Sequence, residues 1–420
     1  MPAPGLSSQG DLLAVLHHAR TVGTTTRAHL GLSLGLGRSV VTQRFGVLMD
    51  LGLVEEGDAR SSSGGRAPRE LRFRGEAGLI LVGELGSSTL STGICDLAGT
   101  LLAHSSEPAD VARGPEPVLA QVQQAWFGHL EAAGAAPERI WGTGLGLPGP
   151  IEFATGRPIS PPIMPGWDGY PVRDKLADAF RAPVWVDTEV NLEALGEARW
   201  GLGRDVRDLV FVKLSTGIGS GVISGGVLHR GAQGAAGDIG HIAVVDDVTA
   251  ICRCGNTGCL EAVAGGGAIA RAATARAGEE RSTLLRPMVD AGRVLAAEDV
   301  STAATRGDPL AIELLTQAGR LIGETLSLLV NFYNPGLLVL GGALGQNSDL
   351  VLSSLRETIY GRSLPLATRN LVLGRSELGA TGGLLGAAAM IVDELLHPAR
   401  FYDWATAGTP HGKPEIASSS

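Results

Sequence analysis

Apolar residues near the start of the chain recur at the spacing of amphipathic helices. Between residues 9 and 20 the apolar positions that share one helical face are Leu12, Leu13, Val15, Leu16 and Ala19. Residues 24–26 are threonines that offer N-cap oxygens for a second, shorter helix reaching about Leu34, although Gly31 weakens it. The pattern therefore predicts two helices before position 35.

A third helix is predicted after a glycine turn at 35–37. Over residues 38–51 the inward positions are Val40, Val41, Phe45, Leu48 and Leu51. The outward positions are Arg38, Ser39, Thr42, Gln43 and Arg44. Arg and Gln can form paired hydrogen bonds with guanine and adenine edges, and Ser and Thr can contact phosphates. This composition is typical of a recognition helix in the major groove of DNA.

Two short strand patterns and a basic loop follow the third helix. Residues 53–57 predict a first strand and 71–73 a returning strand, and the loop 60–69 between them is rich in Ser, Gly and Arg. The order of helices, turn and hairpin predicts a winged helix-turn-helix, with Arg66 and Arg69 of the wing facing DNA. A small helical bundle with a flexible basic loop is the alternative interpretation.

The rest of the chain alternates apolar strand patterns with glycine-rich turns and helices, which predicts an α/β fold. The segments are the strands 79–85, 92–97 and 209–214, the glycine-rich stretches 142–150, 215–221 and 336–345, and the helix 379–390. The 61 glycines follow no collagen-like period, so they indicate tight turns and close approaches of backbone to ligands. A chain of 420 residues is long enough for two or three domains.

Charge is distributed unevenly along the chain, whose formal net charge is −9. Residues 1–74 hold nine arginines and six acidic residues, a local charge of +3, which leaves −12 for the remainder. The acidic body argues against a protein wholly devoted to nucleic acid, whereas a small basic module in front of it would orient toward a polyanion. The sequence shows no apolar run of about 18 residues and no secretory signal pattern, so we expect a cytoplasmic protein.

The four cysteines predict a metal site rather than disulfides. Cys252, Cys254 and Cys259 fall within eight residues, and the reducing compartment expected for this chain favours thiols. Cys95 stands alone in a strand pattern and is expected in the core. Three buried free thiols are the alternative interpretation of the cluster.

The stretch from Gly237 to His241 (Gly-Asp-Ile-Gly-His), followed by Cys252-Arg-Cys-Gly-Asn-Thr-Gly-Cys-Leu-Glu261, resembles the ROK family of repressors and sugar kinases. The resemblance spans nearly the whole chain and is to the regulator branch, which carries an N-terminal winged helix-turn-helix. It implies one structural zinc ion per chain, with the ligands His241, Cys252, Cys254 and Cys259. One imidazole and three thiolates complete a closed tetrahedral site, so this zinc would hold a loop rather than take part in chemistry.

The resemblance also implies the fold class, which is α/β with the winged helix-turn-helix followed by a two-lobed, actin-like (ribonuclease H-like) sugar-kinase fold. The expected domains are 1–74 for DNA binding, 75–198 for the first lobe, completed by a C-terminal helix at about 380–400, and 199–379 for the second lobe with its zinc loop at 241–261. Residues 403–420 are mostly polar and are expected to form a disordered tail.

Kinase chemistry is expected to be lost, because four positions depart from the family's kinases. Their first phosphate loop reads Asp-x-Gly-Gly-Thr, and here Glu84 and Ser87 replace the Asp and the second Gly. Their catalytic Asn-Asp pair corresponds to Thr188 and Glu189, so Glu189 stands at the position of the base. A base displaced by about 1 Å can lose on the order of a hundredfold in rate, and the phosphate loop is altered as well.

The same cleft is expected to retain contacts for a sugar or sugar derivative. The residues carried over by motif are Gly149, Thr188, Glu189, Asp238, His241 and Glu261. Together these features predict a repressor of carbohydrate-related genes that binds double-stranded operator DNA as a homodimer or homotetramer and senses an effector in a degenerate kinase domain. An active ATP-dependent sugar kinase and an effector-independent DNA-binding protein are the alternatives that the sequence leaves open.

Overall fold

The computed structural model describes residues 6–59, 69–278, 282 and 284–418. Most of the predicted wing loop, including Arg66, lies outside these residues. The described residues form an N-terminal module, a body of two β-sheets with their helices, and a C-terminal segment that contacts both.

The N-terminal module is built from three helices and a three-stranded antiparallel sheet. Its elements are α1 (Leu6–Val22), β1 (Thr24–Thr25), α2 (Arg27–Leu34), α3 (Arg38–Asp50), β2 (Val54–Ala59) and β3 (Arg69–Phe73), with the strands in the order β1-β3-β2. Thr26 caps α2 because its hydroxyl accepts a hydrogen bond from the His29 amide at 3.2 Å. Val41, Phe45 and Leu48 of α3 are buried. This is the arrangement of a winged helix-turn-helix, so a purely helical bundle is wrong, while the basic loop of that alternative lies largely outside the described residues.

Two five-stranded sheets with the same strand order form the body. The strands of the first lobe are β4 (Leu79–Leu85), β5 (Thr89–Asp96), β6 (Leu101–Pro108), β7 (Ile140–Leu147), the small hairpin β8 (Ile151–Glu152) and β9 (Arg157–Pro158), and β10 (Val184–Thr188). Those of the second lobe are β11 (Leu209–Leu214), β12 (Ile218–Ser224), β13 (Val227–Leu228), β14 (Leu337–Gly341) and β15 (Val372–Arg375). The orders are β10-β7-β4-β5-β6 and β13-β12-β11-β14-β15. In each sheet an antiparallel meander of three strands is extended by two parallel strands, which confirms the expected two-lobed fold.

Helices cover the faces of both sheets and build most of the second lobe. The helices between β6 and β11 in the chain are α4 (Pro115–Ala132), α5 (Val172–Phe180) and α6 (Glu189–Arg199). Those that follow are α7 (Leu260–Ala264), α8 (Gly266–Arg276), α9 (Leu285–Asp290), α10 (Ala297–Thr305), α11 (Pro309–Tyr333), α12 (Gly342–Asn347), α13 (Asp349–Arg362), α14 (Pro365–Thr368) and α15 (Gly382–Leu395).

Helices α6 and α15 cross at the junction of the two lobes. α6 contacts strands of both sheets, and α15 packs on α6 and on β4 and β7. The crossing is so close that it requires glycine, because a Cβ at Gly386 would lie 1.7 Å from the carbonyl oxygen of Leu192. Likewise, a Cβ at Gly196 would lie 2.2 Å from the carbonyl oxygen of Gly382. The two helices therefore form a tightly packed pair at the centre of the molecule.

The prediction of a disordered tail from residue 403 onward is wrong for the residues up to 418. The elements of this segment are α16 (Pro398–Ala405) and a 3₁₀ turn (Pro414–Ser418). The indole of Trp404 is fully buried, donates a hydrogen bond to the Leu395 carbonyl at 2.9 Å, and lies 5.0 Å from the ring of Trp141. Ile416 is buried as well. A few apolar side chains fix this segment to the body, because the apolar area that they bury offsets the entropy of ordering a polar stretch.

No single helix among the described residues is both long and apolar enough to cross a membrane. One bent pair, Gly379–Leu395 with Pro398–Ala405, meets the criteria of length and composition when its halves, inclined by 75°, are taken together.

Candidate functional site

A cavity of about 590 Å³ lies between the two lobes. Its walls come from the ends of β4, β7 and β10, the start of α6, the turn between β11 and β12, and the residues after β14. The six predicted effector-binding residues all line it: Gly149, Thr188, Glu189, Asp238, His241 and Glu261. The structure thus brings residues of both lobes together in one cleft.

Two of these side chains are held in place by backbone amides. Thr188 is the N-cap of α6, and its hydroxyl oxygen accepts a hydrogen bond from the Asn191 amide at 3.3 Å. A carboxylate oxygen of Glu261 accepts one from the Ile218 amide at 3.1 Å. The same carboxylate covers the glycine-rich stretch 215–221, since a Cβ at Gly217 would lie 2.4 Å from it. A ligand that carries hydroxyl groups would meet preorganised oxygen atoms here.

An ammonium group bound by three carboxylates forms part of the cavity wall. Nζ of Lys213 lies 2.9 Å from Oε2 of Glu189 and 3.1 Å from Oε1 of Glu84. Oε1 of Glu193 lies 3.3 Å from the same Nζ. The four side chains are only 12% to 17% exposed. We call these four residues the Lys213 cluster.

Sequence reasoning identified Glu84 and Glu189 but missed Lys213 and Glu193. Two signals could have found them. Lys213 is the single charged residue in the otherwise apolar strand 209–214. Glu193 follows Glu189 by four residues, which places both on one face of a helix.

Burial and charge act in opposite directions within the Lys213 cluster. Burial raises the pKa of Glu189 and holds the pKa of Glu193 well above its usual value, against the attraction of the ammonium. Burial alone would lower the pKa of Lys213, but the three carboxylates outweigh it and hold that pKa well above the usual value. Lys213 is therefore charged at neutral pH, and Glu189 and Glu193 retain a proton more readily than free glutamates do.

Arg230 connects the two lobes beside the cleft. It follows β13 of the second lobe, and its Nε donates a hydrogen bond at 2.7 Å to the buried carboxylate of Asp187 in β10 of the first lobe. Its guanidinium lies 3.7 Å from the centre of the Phe153 ring, also in the first lobe. These contacts hold the lobes together at the start of the loop that leads to Asp238.

The four predicted zinc ligands converge on one point. The donor atoms of His241, Cys252, Cys254 and Cys259 lie within 4.8 Å of one another. The sulfurs of Cys254 and Cys259 are 3.8 Å apart, and Nδ1 of His241 is 3.5 Å from the sulfur of Cys252. A tetrahedral zinc ion, with Zn–S of about 2.3 Å and Zn–N of about 2.0 Å, requires about 3.8 Å between sulfurs and about 3.5 Å between sulfur and nitrogen. The donor set therefore fits a metal ion.

The metal-binding cluster and the cleft share a residue. Nδ1 of His241 faces the thiols while the residue also lines the cavity, so Nε2 is the ring nitrogen left for a ligand. Burial raises the pKa of the Cys259 thiol to about 12, so a bound cation rather than the pH of the solvent would hold it as a thiolate.

Four of the five predicted recognition residues share the exposed surface of α3. They are Arg38, Ser39, Thr42 and Gln43. Arg44 differs from the prediction because its side chain is half-buried and lies near Tyr402 of α16. Burial raises the pKa of the Tyr402 hydroxyl, and the Arg44 guanidinium counteracts this rise. The C-terminal segment, which the helical period of α3 cannot reveal, accounts for the difference.

The arginines at the base of the wing are paired with acidic neighbours. Glu56 of β2 accepts a hydrogen bond from Arg69 at 2.7 Å and is also paired with Arg27 of α2. These two hydrogen bonds lower the pKa of Glu56. In β3, Arg72 lies 2.6 Å from Glu55. Much of the formal positive charge is therefore neutralised within the module.

An ion-pair bridge joins the N-terminal module to the body. Asp393 of α15 pairs with Arg20 of α1 and with Arg199 of α6, each at 2.7 Å. Apolar residues of α1 belong to the same hydrophobic core as Phe401 and Trp404 of α16. The last residue of α6, a helix whose first turn lines the cleft, is thus linked through α15 to the DNA-binding module.

Three comparisons with known proteins agree with this architecture. A family model described as the ROK family matches residues 84–394. A putative xylose repressor from Caldicellulosiruptor sp. is 28% identical over 396 residues, which cover 93% of this chain and 97% of the repressor. A solved ROK family transcriptional regulator, described as a homolog of the E. coli MLC protein, superposes with a TM-score of 0.81 at 25% identity and covers 95% of this chain and 99% of its own.

A glucokinase matches a shorter part of the chain. The ROK family glucokinase from Streptomyces griseus, solved in complex with glucose and AMPPNP, superposes with a TM-score of 0.65 at 29% identity. The match covers 99% of the glucokinase but 74% of this chain. The extent of the match therefore separates the regulators from the kinase more clearly than identity does.

Proposed function

Because the chain belongs to the ROK family, whose model matches residues 84–394, we propose that it is a sequence-specific DNA-binding repressor of carbohydrate-related genes. The observation that carries the proposal is the winged helix-turn-helix in front of the two lobes. The repressor and the regulator cover 93% and 95% of this chain, which necessarily includes most of that module, whereas the glucokinase covers 74%. A regulator needs both parts, and a kinase needs only the second.

The exposed face of α3 would enter the major groove of operator DNA. Base edges and phosphates would be contacted by Arg38, Ser39, Thr42 and Gln43, and the wing would add Arg66 and Arg69. Arg44 has the smallest part in this interface because it is half-buried. A homodimer, or a dimer of dimers, would place two copies of α3 in successive major grooves of a roughly palindromic operator. Such a protein acts in the cytoplasm, where that DNA lies.

The cleft would bind a sugar or sugar derivative through the six predicted residues that line it. One structural zinc ion, held by the His241 and cysteine cluster, would fix the loop 241–261 and with it Glu261 at the cavity. With four protein ligands the ion keeps no open position, so it supplies structure rather than catalysis. A ligand that favours the closed lobes would shift the spacing of the recognition helices and lower operator affinity, provided that it binds one state better than the other.

Phosphoryl transfer is not part of the proposed function. Glu189, at the position of the base, pairs with the Lys213 ammonium at 2.9 Å, and Glu84 and Ser87 replace the Asp and the Gly of the kinases' first phosphate loop. An active sugar kinase is the rival function, favoured by the 29% identity to the glucokinase.

DNA binding is tested by mobility shifts with duplexes selected in vitro from random sequence. Arg38→Ala and Arg66→Ala should each lower affinity roughly tenfold or more, because each removes a charged contact to a base edge or phosphate. Arg286→Ala, which removes an exposed arginine on α9 of the second lobe, should leave affinity unchanged. Full affinity in both Arg38→Ala and Arg66→Ala would count against the assignment of the module.

Two assays on the same purified protein distinguish the proposed function from its rivals. A coupled assay with ATP and a panel that includes xylose and glucose should show no turnover, and turnover that disappears in Glu189→Ala would favour the kinase. Calorimetry with that panel tests the effector, and the absence of heat with every sugar, together with intact DNA binding, would favour an effector-independent DNA-binding protein.

A further inference from the structure

The Lys213 cluster joins the two lobes through one buried cation. Glu84 comes from β4 of the first lobe, Glu189 and Glu193 come from α6, and Lys213 comes from β11 of the second lobe. Each carboxylate directs an oxygen at the same nitrogen. Three converging carboxylates are the donor set that a divalent metal ion prefers, yet here they enclose an ammonium group.

The position of the cluster is where phosphoryl-transfer chemistry would need a metal. The loop that follows Glu84 and the glycine-rich stretch 215–221 that follows Lys213 both line this cavity. Phosphoryl transfer requires glycine amides around the phosphates and a divalent ion held by carboxylates beside them. In this chain the carboxylates beside the loops are already paired.

The dimensions of the cluster suit an ammonium group and not a metal ion. Its oxygens lie 2.9 to 3.3 Å from the nitrogen, which are hydrogen-bond distances. Magnesium requires oxygens at about 2.0–2.1 Å in an octahedron, so each carboxylate would have to move inward by about 1 Å. A divalent ion would also have to approach a buried ammonium of like charge. A metal-bound nucleotide therefore does not fit the residues present.

We propose that the Lys213 ammonium is the resident cation of this cleft. It occupies the position of a divalent metal ion and thereby excludes the nucleotide that such an ion would hold. The cleft therefore binds a sugar alone. The ligand class is a neutral, hydroxyl-rich molecule, because the Lys213 ammonium is already paired with three side chains and offers no free positive charge to a phosphate group. Both Glu84 and Glu189 contribute to this role, since an aspartate at either position, one methylene shorter, would not reach the ammonium in the same geometry. The inference rests on the proposed function in one respect, namely that the cleft is a sensor.

The experiment removes the resident cation and asks whether a metal replaces it. Zinc-loaded wild-type protein, Lys213→Met and Lys213→Gln are titrated with Mn²⁺, and free Mn²⁺ is measured by electron paramagnetic resonance. Zinc loading excludes the thiol site from the measurement. We expect both Lys213 variants to bind Mn²⁺ at least tenfold more tightly than the wild type does, and Glu189→Gln in the Lys213→Met background to abolish this increase.

Lys175→Met is the matched control, because Lys175 is an exposed lysine whose nearest carboxylate, Glu116, lies 3.8 Å away. It should bind Mn²⁺ as the wild type does. The proposal is overturned if the wild type and both Lys213 variants bind Mn²⁺ with the same affinity, or if none of the three binds it. If neither Lys213 variant folds, the wild type decides. Mn²⁺ binding by the wild type that Glu189→Gln removes overturns the proposal. No Mn²⁺ binding by the wild type, together with binding of glucose or xylose in the absence of nucleotide, supports the proposal.

Mobility shifts on the same proteins keep this result apart from the proposed function. DNA binding is scored on the wild type and on Lys175→Met, which alters neither the cavity nor the surface of α3. Loss of DNA binding by the wild type would reject the repressor, whereas unchanged Mn²⁺ affinity in the variants would reject only the role of Lys213.

Discussion

Individual ion pairs set how much positive charge the N-terminal module offers to DNA. Glu56 engages two arginines, Arg27 and Arg69, and the side chain of Arg69 remains 59% exposed. A surface ion pair contributes only about 0–1 kcal/mol, so a DNA phosphate could displace Glu56 from Arg69 at small cost. Glu56 is thus an internal competitor of the DNA backbone.

Replacing Glu56 by Gln should tighten DNA binding, by about threefold to tenfold at low salt, because a negative charge is removed and two guanidinium groups become available to phosphates. Fluorescence anisotropy across a series of salt concentrations measures both affinity and the slope of log K against log salt. The slope should steepen by about one for each additional DNA phosphate that an arginine neutralises. Glu107→Gln, an exposed carboxylate on the edge strand β6, is the control. Weaker binding by Glu56→Gln would show instead that Glu56 positions the wing.

At this scale the sequence predicted which residues line the cleft, but not how they pair. Thr188, Asp238 and Glu261 were recognisable because each lies in a short motif with fixed local spacing. Two of the three partners of Lys213, Glu189 and Glu84, lie 24 and 129 positions away, and no local period reveals a contact of that span. Pairing of this kind depends on the relative position of the two lobes.

The loop that carries the metal-binding cluster has little regular structure of its own. Between the 3₁₀ turn Ile239–His241 and α7, its ladder pairing consists of the isolated bridges Ala243 to Cys259 and Ile251 to Thr257. Most of its residues are exposed or half-buried, and a loop with so small an apolar core lies at the low end of local stability. A metal ion bound to four of its side chains would supply the missing free energy.

Removal of one thiol should therefore release both the metal and the loop. Cys252→Ser is expected to lower zinc content from about one ion per chain to near zero, to lower Tm by about 5 °C or more, and to weaken sugar binding, because His241 is shared with the cleft. Mass spectrometry of the metal, calorimetry and sugar titration measure the three effects. Cys95→Ser is the control, since Cys95 is a buried free thiol in β5 outside the cluster and should keep its zinc. Zinc retained in Cys252→Ser would contradict the ligand assignment.

Among the elements, the C-terminal segment was the one that sequence reasoning judged wrongly. The strands 79–85 and 209–214 have the bounds that their apolar patterns predict. Residues 403–418 are polar on average, so their composition predicted disorder. Their order depends on a few side chains such as Trp404 that enter a core built by residues far away in the chain, including Trp141. Average composition cannot report where single residues will be buried.

At the scale of the whole molecule, three helices form a continuous path from the cleft to the DNA-binding module. α6 begins with Glu189 in the cavity and ends with Arg199, which pairs with Asp393 of α15. Asp393 also pairs with Arg20 of α1. A path of contacts becomes a coupling only if the ligand favours one of two arrangements of these helices. The contacts along α6, α15 and α1 can therefore transmit the effect of a ligand only if the N-terminal module and the body move as parts of one cooperative unit.

The C-terminal segment determines whether they do so. Trp404→Ala leaves a cavity against Trp141 and should cost about 3–5 kcal/mol, and it loosens α16, which contacts α1. In differential scanning calorimetry we expect the wild type to unfold in one transition and Trp404→Ala to show a separate, earlier transition of the N-terminal module. Phe332→Ala, at a position 91% exposed, should leave the profile unchanged. Trp404→Ala could instead unfold in a single transition that is merely shifted to lower temperature. That result would mean that α16 stabilises only the body. The Arg20–Asp393 contact and its apolar surroundings would then be what holds the N-terminal module to the body.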